Sequence, residues 1–206
     1  MVPSAERDTR KRILLALKKN GGMTVGELRE VVGLSYMGVK QHLLLLERDG
    51  YVTATARRKA LGRPEKVYEL TSEADVHFPA NYRAVALEIL ATLEKLLGRK
   101  GVERLFRARQ KDLRAQYAKR VRGSAEEKVR ALAEIRDEEG YMCESWRSQG
   151  RLVLCEHHCP ISAVAREYPV VCELEGQLFS QVLGRPVQRI EHLQSGGRRC
   201  LYHIQK

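Results

Sequence analysis

The chain has 206 residues, enough for two small domains or one small domain with helical extensions. It carries 37 Lys and Arg against 26 Asp and Glu, a net charge of +11, and 43% hydrophobic residues. The charge favours a polyanionic partner and leaves the fold open; because the excess is spread along the chain, any nucleic-acid surface must be a folded one. No apolar stretch approaches the ~18 residues that span a bilayer, and no secretory signal opens the chain, so a cytoplasmic protein with no membrane partner is expected. In a reducing compartment the five cysteines point to metal or redox chemistry over disulfides.

The first predicted element, 6–22, is an amphipathic helix with Ile13, Leu14 and Leu17 on one face, stopped by Asn20-Gly21-Gly22. Thr24 and Glu27 form a capping box for a second helix that buries Leu28, Val31 and Val32 and ends at Gly33. After the turn Gly33-Leu34-Ser35, with Ser35 as N-cap, a third helix carries Val39, Leu43 and Leu46 inward and ends at Gly50. Two helices joined by a short Gly-containing turn are the helix-turn-helix signature. Strands at 51–55 and 67–71 then flank a basic loop, ARRKALGRPEK, where a winged helix carries its wing.

The third helix is expected to present Ser35, Tyr36, Met37, Lys40 and Gln41, with His42 beside them, to the major groove of an operator. Arg57, Arg58, Lys59, Arg63 and Lys66 make the wing basic, and Arg63 at a Gly-Arg-Pro tip suits a narrow minor groove. Gly38 is a local contradiction, since glycine inside a helix costs about 1 kcal/mol.

The middle of the chain reads as helices at 81–98, 101–121 and 124–140, the last opened by a Ser124/Glu127 capping box. Val85, Ile89, Leu93, Leu96 and Leu97 give the first of these more apolar surface than a lone helix can hide, so a homodimer is expected. From 141 on the pattern is β–β–α–α–β–β: a hairpin about Ser148-Gln149-Gly150, a short helix from Ile161, a longer one over 169–184, and a hairpin about Ser195-Gly196-Gly197. The expected class is α+β, divided into a winged helix-turn-helix domain (1–76), a helical dimerisation region (77–140) and a C-terminal sensor module (141–206).

Cys155, Cys159, Cys172 and Cys200 fall at junctions of that module. Four thiolates, or three and an imidazole, suit tetrahedral zinc, and four also suit a [4Fe-4S] cluster; spacing does not choose between them. His157, His158 and Cys143 are alternative fourth ligands, Cys143 because a three-residue turn at 148–150 would set it opposite Cys155. A thiol-dependent enzyme is the reading of another class, but no orienting third group, oxyanion loop, GxGxxG or P-loop supports it, so no enzyme is expected.

The segments GLS (33–35), VKQHL (39–43), LERDGYV (46–52), GRP (62–64) and YELT (68–71) resemble the ArsR/DeoR-like winged-helix regulators. Cys159-Pro160-Ile161, Cys172 and the stretch LGRPVQRIEHLQSGGRRCLYHI about Cys200 look like the branch containing the iron–sulfur-sensing repressors of the Suf cluster-assembly operon. That resemblance implies a DNA-binding repressor with Cys159, Cys172 and Cys200 as three iron ligands of a [4Fe-4S] cluster. Cys155 stands where some members carry an additional cysteine. The alternative is a winged-helix regulator with structural zinc or an organic effector.

Overall fold

A computed structural model describes residues 4–58 and 64–205. The protein is α+β and divides into two compact units, 1–80 and 81–206.

The first unit is a winged helix. Helix α1 (Ser4–Asn20) buries Ile13, Leu14 and Leu17. A two-residue strand, β1 (Met23–Thr24), precedes α2 (Val25–Val32), and α3 (Tyr36–Arg48) follows after a left-handed Gly33. Thr24 does two jobs: it ends β1 and caps α2, with Glu27 N–H donating to its Oγ1 at 3.2 Å and its own N–H donating to Glu27 Oε2 at 2.6 Å. The wing strands β2 (Val52–Arg57) and β3 (Glu65–Leu70) pair antiparallel from Val52↔Leu70 to Arg57↔Glu65, and β1 joins the far edge of β3 through Met23↔Tyr68. A 3-10 turn over Ser72–His77 closes the unit. Leu28, Val32, Val39, Leu43, Leu46, Val52 and Tyr68 share one core with the α1 residues.

In the second unit, α4 (Tyr82–Tyr117) is broken at Gly98, whose φ of 68° and ψ of 173° are open to glycine and strained for other residues. Helix α5 (Ala125–Glu138) starts at the expected Ser124/Glu127 capping box. Strands β4 (Cys143–Ser148) and β5 (Arg151–Glu156), helices α6 (Ser162–Glu167) and α7 (Val170–Leu183), and strands β6 (Val187–Glu191) and β7 (Cys200–Ile204) complete it. The two hairpins merge into one antiparallel sheet of order β4-β5-β7-β6. Leu154, Cys200, Tyr202 and Ile204 on its inner face pack with Leu132 and Ile135 of α5, Leu178 and Phe179 of α7, and Tyr117 of α4.

The first hairpin corrects the expected register. Its loop is two residues, Gln149 (φ 48°) and Gly150 (φ 76°), both left-handed, as a tight hairpin turn requires. Cys143 therefore sits opposite Glu156, and Glu144 opposite Cys155. Side chains alternate along a strand, so a one-residue change of register exchanges the faces: Cys143 lies across from Glu156 on the inner face, away from Cys155.

Candidate functional site

Helix α3 can be an exposed reading head because its apolar residues recur on one side only. Val39, Leu43 and Leu46 are buried, while Tyr36, Met37, Lys40, Gln41 and Leu44 are exposed and fall on one opposite face. Ser35 is exposed, and its Oγ accepts the Gly38 N–H at 3.1 Å, so it caps the helix and has its hydroxyl proton and one lone pair left for DNA. His42 is half-buried, and its Nδ1 is buried without a hydrogen-bond partner. Leu44, which the sequence reading did not single out, continues the exposed face and could meet a thymine methyl. On the wing, Arg57, Arg58 and Lys66 are exposed, and Arg57 lies 3.8 Å from Glu27. Lys59 and Arg63, expected at the wing tip, lie outside the described residues.

In the second unit, Cys159 leaves β5 and packs against the inner-face core, Cys172 lies in the first turn of α7, and Cys200 opens β7. The three stand within electrostatic reach of one another. Burial pushes the Cys159 thiol up to about 12, with Glu175, Cys172 and Cys200 also opposing its ionisation. Burial likewise pushes Cys172 up to about 11, with Glu175 and Cys200 adding to it, and it raises Cys200. Such thiols stay protonated unless a metal displaces the proton.

Cys155 stands elsewhere. It pairs with Leu201 while its neighbour Glu156 pairs with Cys200, so Cys155 and Cys200 point to opposite faces of the sheet. On the outer face Cys155 meets His157 and Glu144. Its Sγ lies 3.6 Å from His157 Nε2, which lies 2.8 Å from Glu144 Oε1. His158 is exposed, and Cys143 is buried on the inner face with its thiol pushed far up by burial.

These positions test a bound group. Zinc–thiolate bonds of ~2.3 Å place the sulfurs of a tetrahedral site ~3.8 Å apart. Among the described residues, the one group of three or more His, Cys, Asp or Glu whose ligand atoms lie within 4.8 Å of one another is Glu144, Cys155 and His157. Cys159, Cys172 and Cys200 are thus spread more widely than ligands of a single ion. A cluster separates its ligand sulfurs by its own width, so thiols spaced more widely than around one ion are not a mismatch to such a group.

Behind the thiols lies a charge network that the sequence reading missed. Arg136 of α5 is fully buried; its Nε donates to Glu156 Oε1 at 2.7 Å, its Nη1 donates to Glu139 at 3.1 Å, and its Nη2 bonds Glu175. Tyr202 Oη donates to Glu175 Oε2 at 3.0 Å. Glu175 therefore links this network to the thiols whose ionisation it opposes.

A family model described as "Winged helix-turn-helix DNA-binding" matches residues 6–53. Among solved structures, Stf76 from the Sulfolobus islandicus plasmid-virus pSSVx is 26% identical, over 34% of this chain and 94% of its own, at a TM-score of 0.29. Bacillus subtilis PadR in complex with operator DNA is 16% identical, over 85% of this chain and 99% of its own, at 0.32. Both scores lie below that of a shared overall fold. No curated protein matches the chain. No helix among the described residues is long and apolar enough to cross a membrane. The N-terminal unit is a winged helix-turn-helix of DNA-binding type.

Proposed function

We propose that the protein is a homodimeric transcriptional repressor that reads an operator through α3 and the wing, and whose affinity depends on a [4Fe-4S] cluster held by Cys159, Cys172 and Cys200. The observation that carries the DNA-binding part is the solvent-facing row Tyr36, Met37, Lys40 and Gln41 beside a wing with exposed Arg57, Arg58 and Lys66. Support for a dimer comes from α4, where Val85, Ile89, Leu96 and Leu97 stay exposed at helical spacing. The resemblance to the Suf-operon repressors, absent from the family match, is what suggests the cluster; the gathering of three thiols from separate elements supports it.

When bound, the cluster would supply a redox-labile iron–sulfide group. The chain's own part is to release three thiol protons, bury the sulfurs and couple α7, through Glu175 and Arg136, to α5 and β5. Cys155 remains the sequence-based candidate for the fourth ligand, but its place on the outer face favours a non-protein ligand there. The test is iron and sulfide content per chain after anaerobic purification. Cys159→Ser, Cys172→Ser and Cys200→Ser should each lose the cluster, because a hydroxyl replaces a thiolate poorly on iron. Cys155→Ser should keep it. Full iron and sulfide in the first three variants would overturn the cluster assignment.

A further inference from the structure

On the outer face of the sheet, three different donor types from two neighbouring strands converge. Glu144 and Cys155 are direct cross-strand partners of β4 and β5, and His157 follows Cys155 by two residues, the repeat that returns a side chain to the same face. His157 N–H donates to Met142 O at 3.2 Å, holding the end of β5 against the start of β4. The Cys155 side chain is buried, while His157 and Glu144 are 43% and 60% exposed, so a solvent-borne ion has a way in.

One detail separates a metal site from a proton relay. In a thiol–imidazole–carboxylate relay the carboxylate holds one ring nitrogen while the other faces the thiol. Here both the thiol and the carboxylate approach the same atom, Nε2, and a proton on it can serve only one of them. A cation between the three serves all of them.

We propose that Glu144, Cys155 and His157 form a binding site for a zinc-type divalent ion, independent of Cys159, Cys172 and Cys200. Zn–S of ~2.3 Å and Zn–N of ~2.05 Å at a tetrahedral angle put sulfur and nitrogen ~3.6 Å apart. The Cys155 Sγ to His157 Nε2 distance is 3.6 Å. The same geometry asks for ~3.3 Å between nitrogen and carboxylate oxygen, so Glu144 must withdraw about half an ångström from its present 2.8 Å, a small change for an exposed side chain. A thiolate and a carboxylate neutralise the ion. The nearby Arg199 guanidinium, which favours the Cys155 thiolate, is itself paired with Glu191 at 2.9 Å. Three protein ligands leave the fourth tetrahedral position to water, and a mixed sulfur, nitrogen and oxygen donor set suits zinc better than magnesium or calcium. The ion would tie β4 to the exit of β5, the segment that leads directly to Cys159.

The test is titration of the chelator-treated full chain with Co²⁺, a coloured reporter for zinc, read by thiolate-to-cobalt charge transfer in the near ultraviolet and by visible bands of tetrahedral intensity. One equivalent is expected to bind with one thiolate's share of charge transfer. Cys155→Ala should remove the charge transfer, and Glu144→Gln and His157→Ala, both at exposed positions, should each weaken binding at least tenfold. Cys159→Ala should leave this signal unchanged while removing iron from anaerobically purified protein, so the two sites fail separately. A signal lost in Cys159→Ala and kept in Glu144→Gln and His157→Ala would move the ion to the inner thiols and overturn the proposal. Absence of tetrahedral cobalt binding would overturn it as well.

Discussion

Replacing Arg136 by Met is expected to be the most damaging single change on the inner side of the second unit. The side chain is 2% exposed and holds Glu156, itself 2% exposed, at 2.7 Å. It also bonds Glu175 and lies 3.3 Å from the centroid of the Tyr141 ring. Met keeps much of the volume but leaves Glu156 without its partner in the core, where burial and Glu175 already push its carboxyl up to about 7, so it must be buried unpaired or take up a proton. Removing one partner of a buried ion pair costs about 3–5 kcal/mol. That is a large share of the roughly 5–15 kcal/mol that holds a domain folded, and for a unit of this size it lowers Tm by roughly 10–20 °C. The chain has a single Trp, Trp146 in β4, so fluorescence-monitored urea unfolding reports on this unit directly. The paired change Arg136→Met with Glu156→Leu should recover at least half of the loss, because an apolar pair can replace a buried ion pair. A loss below about 1 kcal/mol in the single variant, or no recovery in the double, would refute the assignment of Arg136 as the anchor between α5, β5 and α7.

In the first unit, Gln41→Ala should narrow the gap between operator and random DNA by about 1–3 kcal/mol in competition binding, as loss of a base contact does; an equal loss on both DNAs would assign Gln41 to the backbone. Arg58→Ala should weaken binding to all sequences and reduce the slope of log affinity against log salt by about 0.9, the signature of one lost phosphate contact; an unchanged slope would remove Arg58 from the interface. Ser124→Ala removes the acceptor of the Glu127 N–H and should cost about 1 kcal/mol in urea unfolding. Ile89→Glu, on the exposed stripe of α4, should shift sedimentation toward the monomer; an unchanged dimer would place the interface elsewhere.

What could be read from the sequence were the features written locally. The capping boxes at Thr24 and Ser124, the Ser35 cap, the left-handed Gly33 and the wing hairpin all depend on residues a few positions apart, and each is found as read. Strand β1 was missed because two residues carry no periodicity; it exists through its pairing with Tyr68 and Val67, more than 40 positions away. The cross-strand partner of Cys155 turned on the length of one loop. With Gln149 and Gly150 both left-handed the loop is two residues long, and only then does Glu144 become the partner of Cys155. The Arg136 network was invisible for a related reason: Arg and Glu in an amphipathic pattern read as solvent-facing until tertiary packing encloses them. A shared role for Cys159, Cys172 and Cys200 rests on a resemblance, because thiols on a loop, a helix and a strand have no common local signal.

The central claim is that DNA binding by the first unit depends on what the second unit holds. Its most direct test is the affinity of one preparation for one operator fragment, at fixed salt, before and after the iron–sulfur group is destroyed by oxidation, with Cys159→Ser as the permanently empty reference. The account predicts that loss of the group weakens binding by roughly 5- to 150-fold, the range of a coupling of 1–3 kcal/mol, and that Cys159→Ser matches the oxidised protein. Equal affinity in all three would contradict it and leave a winged helix whose DNA binding is indifferent to the cysteines.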